Sequence, residues 1–210
     1  MTHINHSDQE NHSPDIGIIL LAAGSSSRMG RSKQMLEVDG EQLLQRTAKV
    51  ALASNATKVM IVLGANEQAH RNSIQQLPVE ICVNPLWQTG MGSSLKKGLQ
   101  SLLELIPKLE AVIVMVCDQP KLTTIHVNQL IQTFKETDSP VVASYYANSA
   151  GVPALFDKSL FDELLSIENE SGAKKIIQQH KELLTTIDFP QGAIDLDTPD
   201  DYQKFIGKKD

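Results

Sequence analysis

The chain has 210 residues, 41% of them hydrophobic and 21% charged, with a formal net charge of −6. That length supports a domain with a sizeable core, and the acidic balance argues against a nucleic-acid-binding surface, which leaves a basic footprint. No apolar run approaches the roughly 20 residues needed to cross a bilayer, and the N-terminus lacks the order of a secretory signal, so a cytoplasmic protein without membrane contact is expected.

Residues 1–14 are polar, with His3, His6 and His12 among Asn, Ser, Asp and Glu. Such a segment buries too little apolar surface to offset its ordering entropy and reads as a disordered tail. A domain over residues 15–210 follows. Its first element is a strand over Ile16–Ala22, inside the stretch GIILLAAGSSSRMGRSK at Gly17–Lys33. The apolar run suits a buried parallel strand. The Gly/Ser loop after it lets backbone N–H groups approach an anion closely, and Arg28 and Lys33 add a planar fork and a mobile point charge. Strand, small-residue loop and two cations describe a polyphosphate site. The spacing matches neither the P-loop nor the dinucleotide fingerprint. The plainer alternative is a strand ending in a turn, with both cations solvated.

A helix is predicted over Glu41–Ala53, a strand over Lys58–Leu63 and a helix over Glu67–Gln76. Val79–Val83 reads as a strand, Ser93–Leu105 as a helix, Ala111–Val116 as the most apolar strand and Thr124–Lys135 as the helix behind it. This alternation predicts a parallel sheet covered by helices on both faces. Ligands of such sheets collect at the carboxyl ends of the strands, which puts Gly24 and Asp118 on one rim. Cys82 and Cys117 sit in apolar runs without metal-ligand spacing and read as buried free thiols. Beyond Asp118, strands are predicted at Pro140–Ser144, Val152–Phe156 and Glu182–Phe189, and helices at Lys158–Ser166, Ala173–His180 and Pro199–Phe205. Thr198 and Pro199 form a helix start. His70, His126 and His180 read as surface or helix-end residues.

Asp118 follows a buried strand, where a carboxylate suits the rim better than the core. Mg²⁺ is typically held by one or two carboxylates plus substrate phosphates, so Asp118 is the first candidate ligand and a turn aspartate the alternative. Asp195 and Asp197 share one face if their segment is extended. Either is a candidate second ligand, against helix capping near Thr198.

LAAGSSSRMGRSK resembles the signature LAAGxSxRMGxxK of MobA-like nucleotidyltransferases, and within them the molybdenum cofactor cytidylyltransferases. WQTGMGSSLKKGL at Trp87–Leu99, VCDQP at Val116–Pro120, GVPALF at Gly151–Phe156 and DLDTPDDY at Asp195–Tyr202 resemble further family segments in the same order. The resemblance implies a Rossmann-like three-layer α/β/α sandwich with a mostly parallel, mixed central sheet. It implies a Mg²⁺-dependent transfer of CMP from CTP to molybdopterin or its molybdenum form, with release of pyrophosphate. Arg28, Lys33 and Asp118 would carry the chemistry, Lys33 towards the α-phosphate and Arg28 towards the β/γ end or in the reverse order, with Asp197 favoured, and Asp195 behind it, to complete the metal site. Backbone around Leu21, Ala22, Ala23 and Gly24, together with Gly90, Gly92 and Ser94, would read the nucleotide; Ser93 and Ser94 are equally good helix caps. Ala23 stands where guanylyl-transferring relatives tend to carry glycine. Gly151 and Pro153 would face the acceptor, and Trp87 would line the pocket or simply pack.

Asn169 and Glu170 stand where relatives carry Gly-Asp, which leaves the acceptor open to a sugar or polyol phosphate, as GTP remains open for the donor. A non-catalytic cofactor chaperone on the same fold is the rival reading. A molybdoenzyme or its chaperone would be a transient partner.

Overall fold

A strand covered on both faces must be apolar at every position, and Ile16–Ala22 (β1) meets that condition with all seven residues buried. The computed structural model describes residues 13–207. The expected tail over 1–14, with its three histidines, therefore lies almost wholly outside the described residues.

In chain order, β1 is followed by a small hairpin, β2 (Glu37–Val38) and β3 (Glu41–Gln42), then α1 (Leu43–Leu52), β4 (Lys58–Leu63) and α2 (Glu67–Ile74). Next come β5 (Glu80–Val83), α3 (Met91–Leu105), β6 (Ala111–Val116) and α4 (Thr124–Glu136). The remainder is β7 (Val141–Tyr146), β8 (Ser149–Asp157), α5 (Phe161–Ser166), α6 (Ala173–Gln179), β9 (Leu184–Asp188) and α7 (Pro199–Gly207). The seven-stranded sheet runs β5-β4-β1-β6-β8-β7-β9. β1 pairs in parallel with β4 and β6, and β4 with β5. β8 alone in this sheet runs against its neighbours β6 and β7. The sheet is thus mixed and mostly parallel.

Side chains alternate across β1. Ile16, Ile18, Leu20 and Ala22 pack under α1 and α4, where Leu44, Ala48, Val127 and Leu130 meet them. Ile19, Leu21 and Ala23 face the opposite layer, which α3, α5 and α6 supply through Leu95, Leu99, Leu164 and Ile176. A three-layer α/β/α sandwich results. From β1 the chain steps outward to β4 and β5, then crosses back to β6 on the other side of β1. The loops leaving β1 and β6 therefore part company, and the crevice between them is where such sheets bind ligands.

Two local expectations are corrected. Glu41 and Gln42 form a strand of the small hairpin, so α1 begins at Leu43. His70 and His126 are buried, not surface residues. His126 Nε2 lies 2.7 Å from Ser144 Oγ, and its ring stacks on Phe189 at 4.4 Å. His180 does reach a helix-end partner, Glu163, at 2.9 Å. Cys82 and Cys117 are free and buried, as expected, and burial pushes both thiols up.

Gly98 sets how closely α3 approaches the sheet: a Cβ there would stand 2.7 Å from Ile19 Cγ2 and 2.8 Å from Val62 Cγ2. Both neighbours are β-branched and stiff. Gly98→Ala is therefore expected to destabilise the protein by about 1–3 kcal/mol through overpacking, despite a helix-propensity gain of about 1 kcal/mol. Urea unfolding measures the balance, and a net gain in stability would show that α3 can lift without loss.

Candidate functional site

The loop after β1 holds an unusual backbone. Ser26 has φ 56° and Gly30 φ 66°, on either side of a 3-10 turn over Ser27–Met29. For serine the left-handed region costs about 1–2 kcal/mol, so something must hold it. Gln34 does. Its buried amide donates to Ala22 O at 3.3 Å and Gly24 O at 3.0 Å. Its Oε1 accepts from Ser26 Oγ at 3.1 Å and Ser32 Oγ at 2.8 Å. Ser26 Oγ also accepts the Lys33 backbone N–H at 3.0 Å. One side chain thus ties the end of β1 to both ends of the small-residue loop.

Lys33 leaves this loop with its ammonium aimed across the crevice. Nζ lies 3.0 Å from Asp118 Oδ2 and 2.5 Å from Asp197 Oδ1. All three side chains are partly exposed, at 18%, 26% and 35%. Burial alone would pull the lysine pKa down, but the Asp118 and Asp197 carboxylates outweigh it and the net shift is upward. Asp118 is placed by the end of β6. Asp197 is placed by the chain before α7, where Leu196 N–H donates to Asp118 O at 3.2 Å. The start of α7 is capped by Thr198 and Asp201: Thr198 N–H reaches Asp201 Oδ2 at 3.0 Å and Asp201 N–H reaches Thr198 Oγ1 at 3.2 Å. This reciprocal cap leaves Asp197 turned to Lys33.

A cavity of about 370 Å³ opens beside the trio. Leu21, Ala23 and Gly24 form one wall, Gly90 and Ser94 another, and Lys33, Asp118 and Asp197 the end. Trp87 also lines it, with Gly64 making room: a Cβ at Gly64 would stand 2.7 Å from Trp87 Cβ. Ser93 and Ser94 do not cap α3. Both hydroxyls accept from the Asn84 amide, at 2.8 and 2.9 Å.

Other residues singled out from the sequence lie elsewhere. Ala22 faces the α1/α4 layer. Gly92 is buried at the start of α3, its N–H donating to Asn169 O at 2.8 Å. Gly151 and Pro153 are buried in β8 and do not line the cavity; a Cβ on Gly151 would meet the Tyr146 hydroxyl at 2.6 Å. Gln119 fastens that hairpin, donating to Val152 O at 3.0 Å. Asp195 is separated from Asp197 and lines a second cavity with Lys121 and Lys204. Partial burial, then the charges of Asp197, Asp118 and Asp201, push its carboxyl up. The Arg28 side chain lies outside the described part of the structure. Asn169 and Glu170 back the loop into α3.

Sequence reasoning missed Gln34 and Asn84. Nothing in their spacing marks them; each is identified by the buried hydrogen bonds it completes. Gln34→Leu would leave two carbonyls and two hydroxyls without their partner, so a loss of about 1–3 kcal/mol is expected. Urea unfolding tests it, and a change below about 0.5 kcal/mol, the range of ordinary surface substitutions, would show that the amide braces nothing.

Comparison with known proteins places this geometry in a family. The MobA-like NTP transferase domain matches residues 18–183. Nicotine blue oxidoreductase of Paenarthrobacter nicotinovorans is 30% identical over 187 residues, covering 83% of this chain and 87% of that one. Purine catabolism protein PucB of Bacillus subtilis is 24% identical, covering 90% and 95%. Molybdenum cofactor cytidylyltransferase of Escherichia coli is also 24% identical, covering 89% and 93%. Among solved structures, Rv0371c of Mycobacterium tuberculosis superimposes with a TM-score of 0.79 at 23% identity, covering 94% of this chain and all of that one. A complex of Rv0371c with manganese superimposes at 0.76, with 22% identity and coverage of 92% and 99%. By the domain match and the shared fold, the chain is a nucleotidyltransferase and belongs to the MobA-like NTP transferase family.

Proposed function

We propose that this protein transfers CMP from CTP to a phosphorylated small molecule, with a molybdopterin-type acceptor as the first candidate, and releases pyrophosphate. The observation that carries the reading is the Lys33 ammonium between Asp118 and Asp197, at the crevice where β1 and β6 part and beside the small-residue loop. Charge builds on phosphate oxygens during in-line displacement, and stabilising it is most of the catalytic work. Lys33 is suited to the α-phosphate and Arg28 to the β/γ end. The acceptor's phosphate oxygen attacks the α-phosphorus, the α–β bridging bond breaks, and pyrophosphate departs; no nucleophilic side chain is required.

The donor set fits a hard divalent cation. Two carboxylate oxygens already converge on one cationic atom, and Mg²⁺ favours one or two carboxylates completed by phosphate and water. Asp118 and Asp197 would hold it, and Mg²⁺ there would supply electrostatic stabilisation of the triphosphate. Asp195, on the second cavity, is the weaker choice. The manganese complex of Rv0371c supports a divalent site on this fold.

The nucleotide half rests on more than the acceptor half. Ser94 Oγ accepts from Asn84, so its own proton is available to donate to a pyrimidine carbonyl in the cavity it lines. Ala23 adds a methyl group to the opposite wall, in keeping with CTP. Gly151 and Pro153 are buried in β8 and line no part of the cavity, which weakens their case as acceptor contacts and makes the Asp118–Asp197 end the natural side of approach. The relative named for nicotine blue oxidation keeps a redox reading open, and NAD(P)H oxidation serves as its control.

The deciding assay is pyrophosphate release with Mg²⁺ and CTP, GTP, ATP or UTP, with and without molybdopterin. Release that needs both CTP and molybdopterin is expected. Release with another acceptor or triphosphate would relocate the substrate, and NAD(P)H oxidation without release would replace the reading. Asp118→Asn should lower turnover by about 10²–10³, the scale for a lost transition-state contact, with the fold intact by circular dichroism; retention of full turnover would sink the assignment. Chelation by EDTA should abolish release and added Mg²⁺ or Mn²⁺ restore it, whereas activity in excess EDTA would exclude the metal site.

A further inference from the structure

We infer that His70, a residue of α2 outside the cavity, is a positioning residue for the phosphate loop, acting through a directed chain of hydrogen bonds that runs His70–Ser32–Gln34. The inference rests on the reading of the Gly24–Lys33 loop as the triphosphate site.

The direction of each bond follows from the atoms at its end. Gln34 faces two backbone carbonyls, Ala22 O and Gly24 O, on one side of its amide. Carbonyls only accept, so the NH₂ group must point to them and Oε1 must point to the serines. Oε1 in turn only accepts, so Ser26 and Ser32 both spend their hydroxyl protons on Gln34. Ser32 Oγ then has only lone pairs left for the His70 Nε2 that lies 2.7 Å away. The histidine nitrogen is therefore the donor.

His70 has no solvent exposure, and its Nδ1 has no partner among the described residues. Desolvation disfavours the charged ring and lowers its pKa. The buried ring is thus the neutral Nε2–H tautomer, with a bare nitrogen as its orphan atom. That is the only tautomer that can donate to Ser32. A leucine at this position would fill similar space on α2 without the donor.

What the chain holds is the stretch between Ser32 and Lys33. Ser32 precedes the residue whose ammonium spans the crevice, and the Lys33 backbone N–H is fixed to Ser26 Oγ, on the left-handed residue of the same loop. Gln34 joins both serines. Freeing Ser32 at one end loosens the aim of Lys33 at the other.

The test compares His70→Leu and His70→Gln, whose amide can donate in place of Nε2, with Ser32→Ala and the Ser32→Ala/His70→Leu double variant. Hydrogen exchange of the Lys33 amide in the ligand-free protein reads the loop, and calorimetric titration with Mg²⁺-tripolyphosphate reads the site. His70→Leu is expected to speed that exchange and weaken the anion's binding, each by about five- to thirtyfold, the scale of a buried hydrogen bond. His70→Gln should restore both to within about threefold, and the double variant should be little worse than Ser32→Ala, as for residues in one network. If His70→Leu lowers only the melting temperature, with exchange and binding unmoved, His70 is a core residue and the inference falls. It falls equally if His70→Gln is as impaired as His70→Leu at equal stability. The exchange readout needs no substrate, so a wild-type protein that releases no pyrophosphate would overturn the proposed activity while the exchange pattern upholds the loop brace.

Discussion

Everything in the cleft depends on β1 and β6 lying side by side while their chains leave in opposite directions. Parallel pairing aligns their carboxyl ends, and the crossing from β5 back to β6 opens the gap between them. Lys33 comes from one side of that gap and Asp118 from the other, 85 residues apart in sequence and 3.0 Å apart in space. β1 can serve as the axle because it is apolar throughout and sealed by helices on both faces. The polar work begins only where the strand stops.

A charged cluster at such a place needs rigid support, since its members otherwise screen themselves with water and move apart. The support is mostly uncharged. Gln34 satisfies all four of its hydrogen-bonding positions inside the protein, and Asn84 holds two serines at the start of α3. Amides suit this task because they fix direction without adding a charge that would compete with the lysine or the carboxylates. Charged groups thus close one end of the cavity, while buried neutral amides brace the loops around it.

Much of this was legible in the sequence. Apolar runs without alternation located β1, β4 and β6 at their observed bounds, because strands buried on both faces announce themselves. The rim position of Gly24 and Asp118 followed from strand direction alone, whereas the choice of Asp197 beside Asp118 came from the resemblance to the family, since spacing left Asp195 and Asp197 on equal terms. What failed has a common cause. His70 and His126 look like solvent residues because a helix pattern cannot show that a polar side chain has a buried partner. The burial of Gly151 and Pro153 in β8, off the cavity's lining, was likewise not visible, because a motif carries no information about which way a strand turns its residues. Glu41 and Gln42 continue the helical pattern of α1, and only the pairing with β2 draws them into a hairpin. Burial and facing are tertiary properties, set by elements far along the chain.

The contact between the start of α3 and residues 168–171 binds two distant segments to a shared history. A Cβ at Gly90 would lie 2.3 Å from Asn169 O, and one at Gly92 2.2 Å from Glu168 O. Backbone touches backbone there, so no rotamer change can make room. Neither segment is free to drift alone: lengthening one, or giving either glycine a side chain, forces the other to retreat. Diversification of the cavity wall at Gly90 and Ser94 would then proceed by paired changes, with the 168–171 turn accepting insertions only as the glycine loop is remodelled beside it.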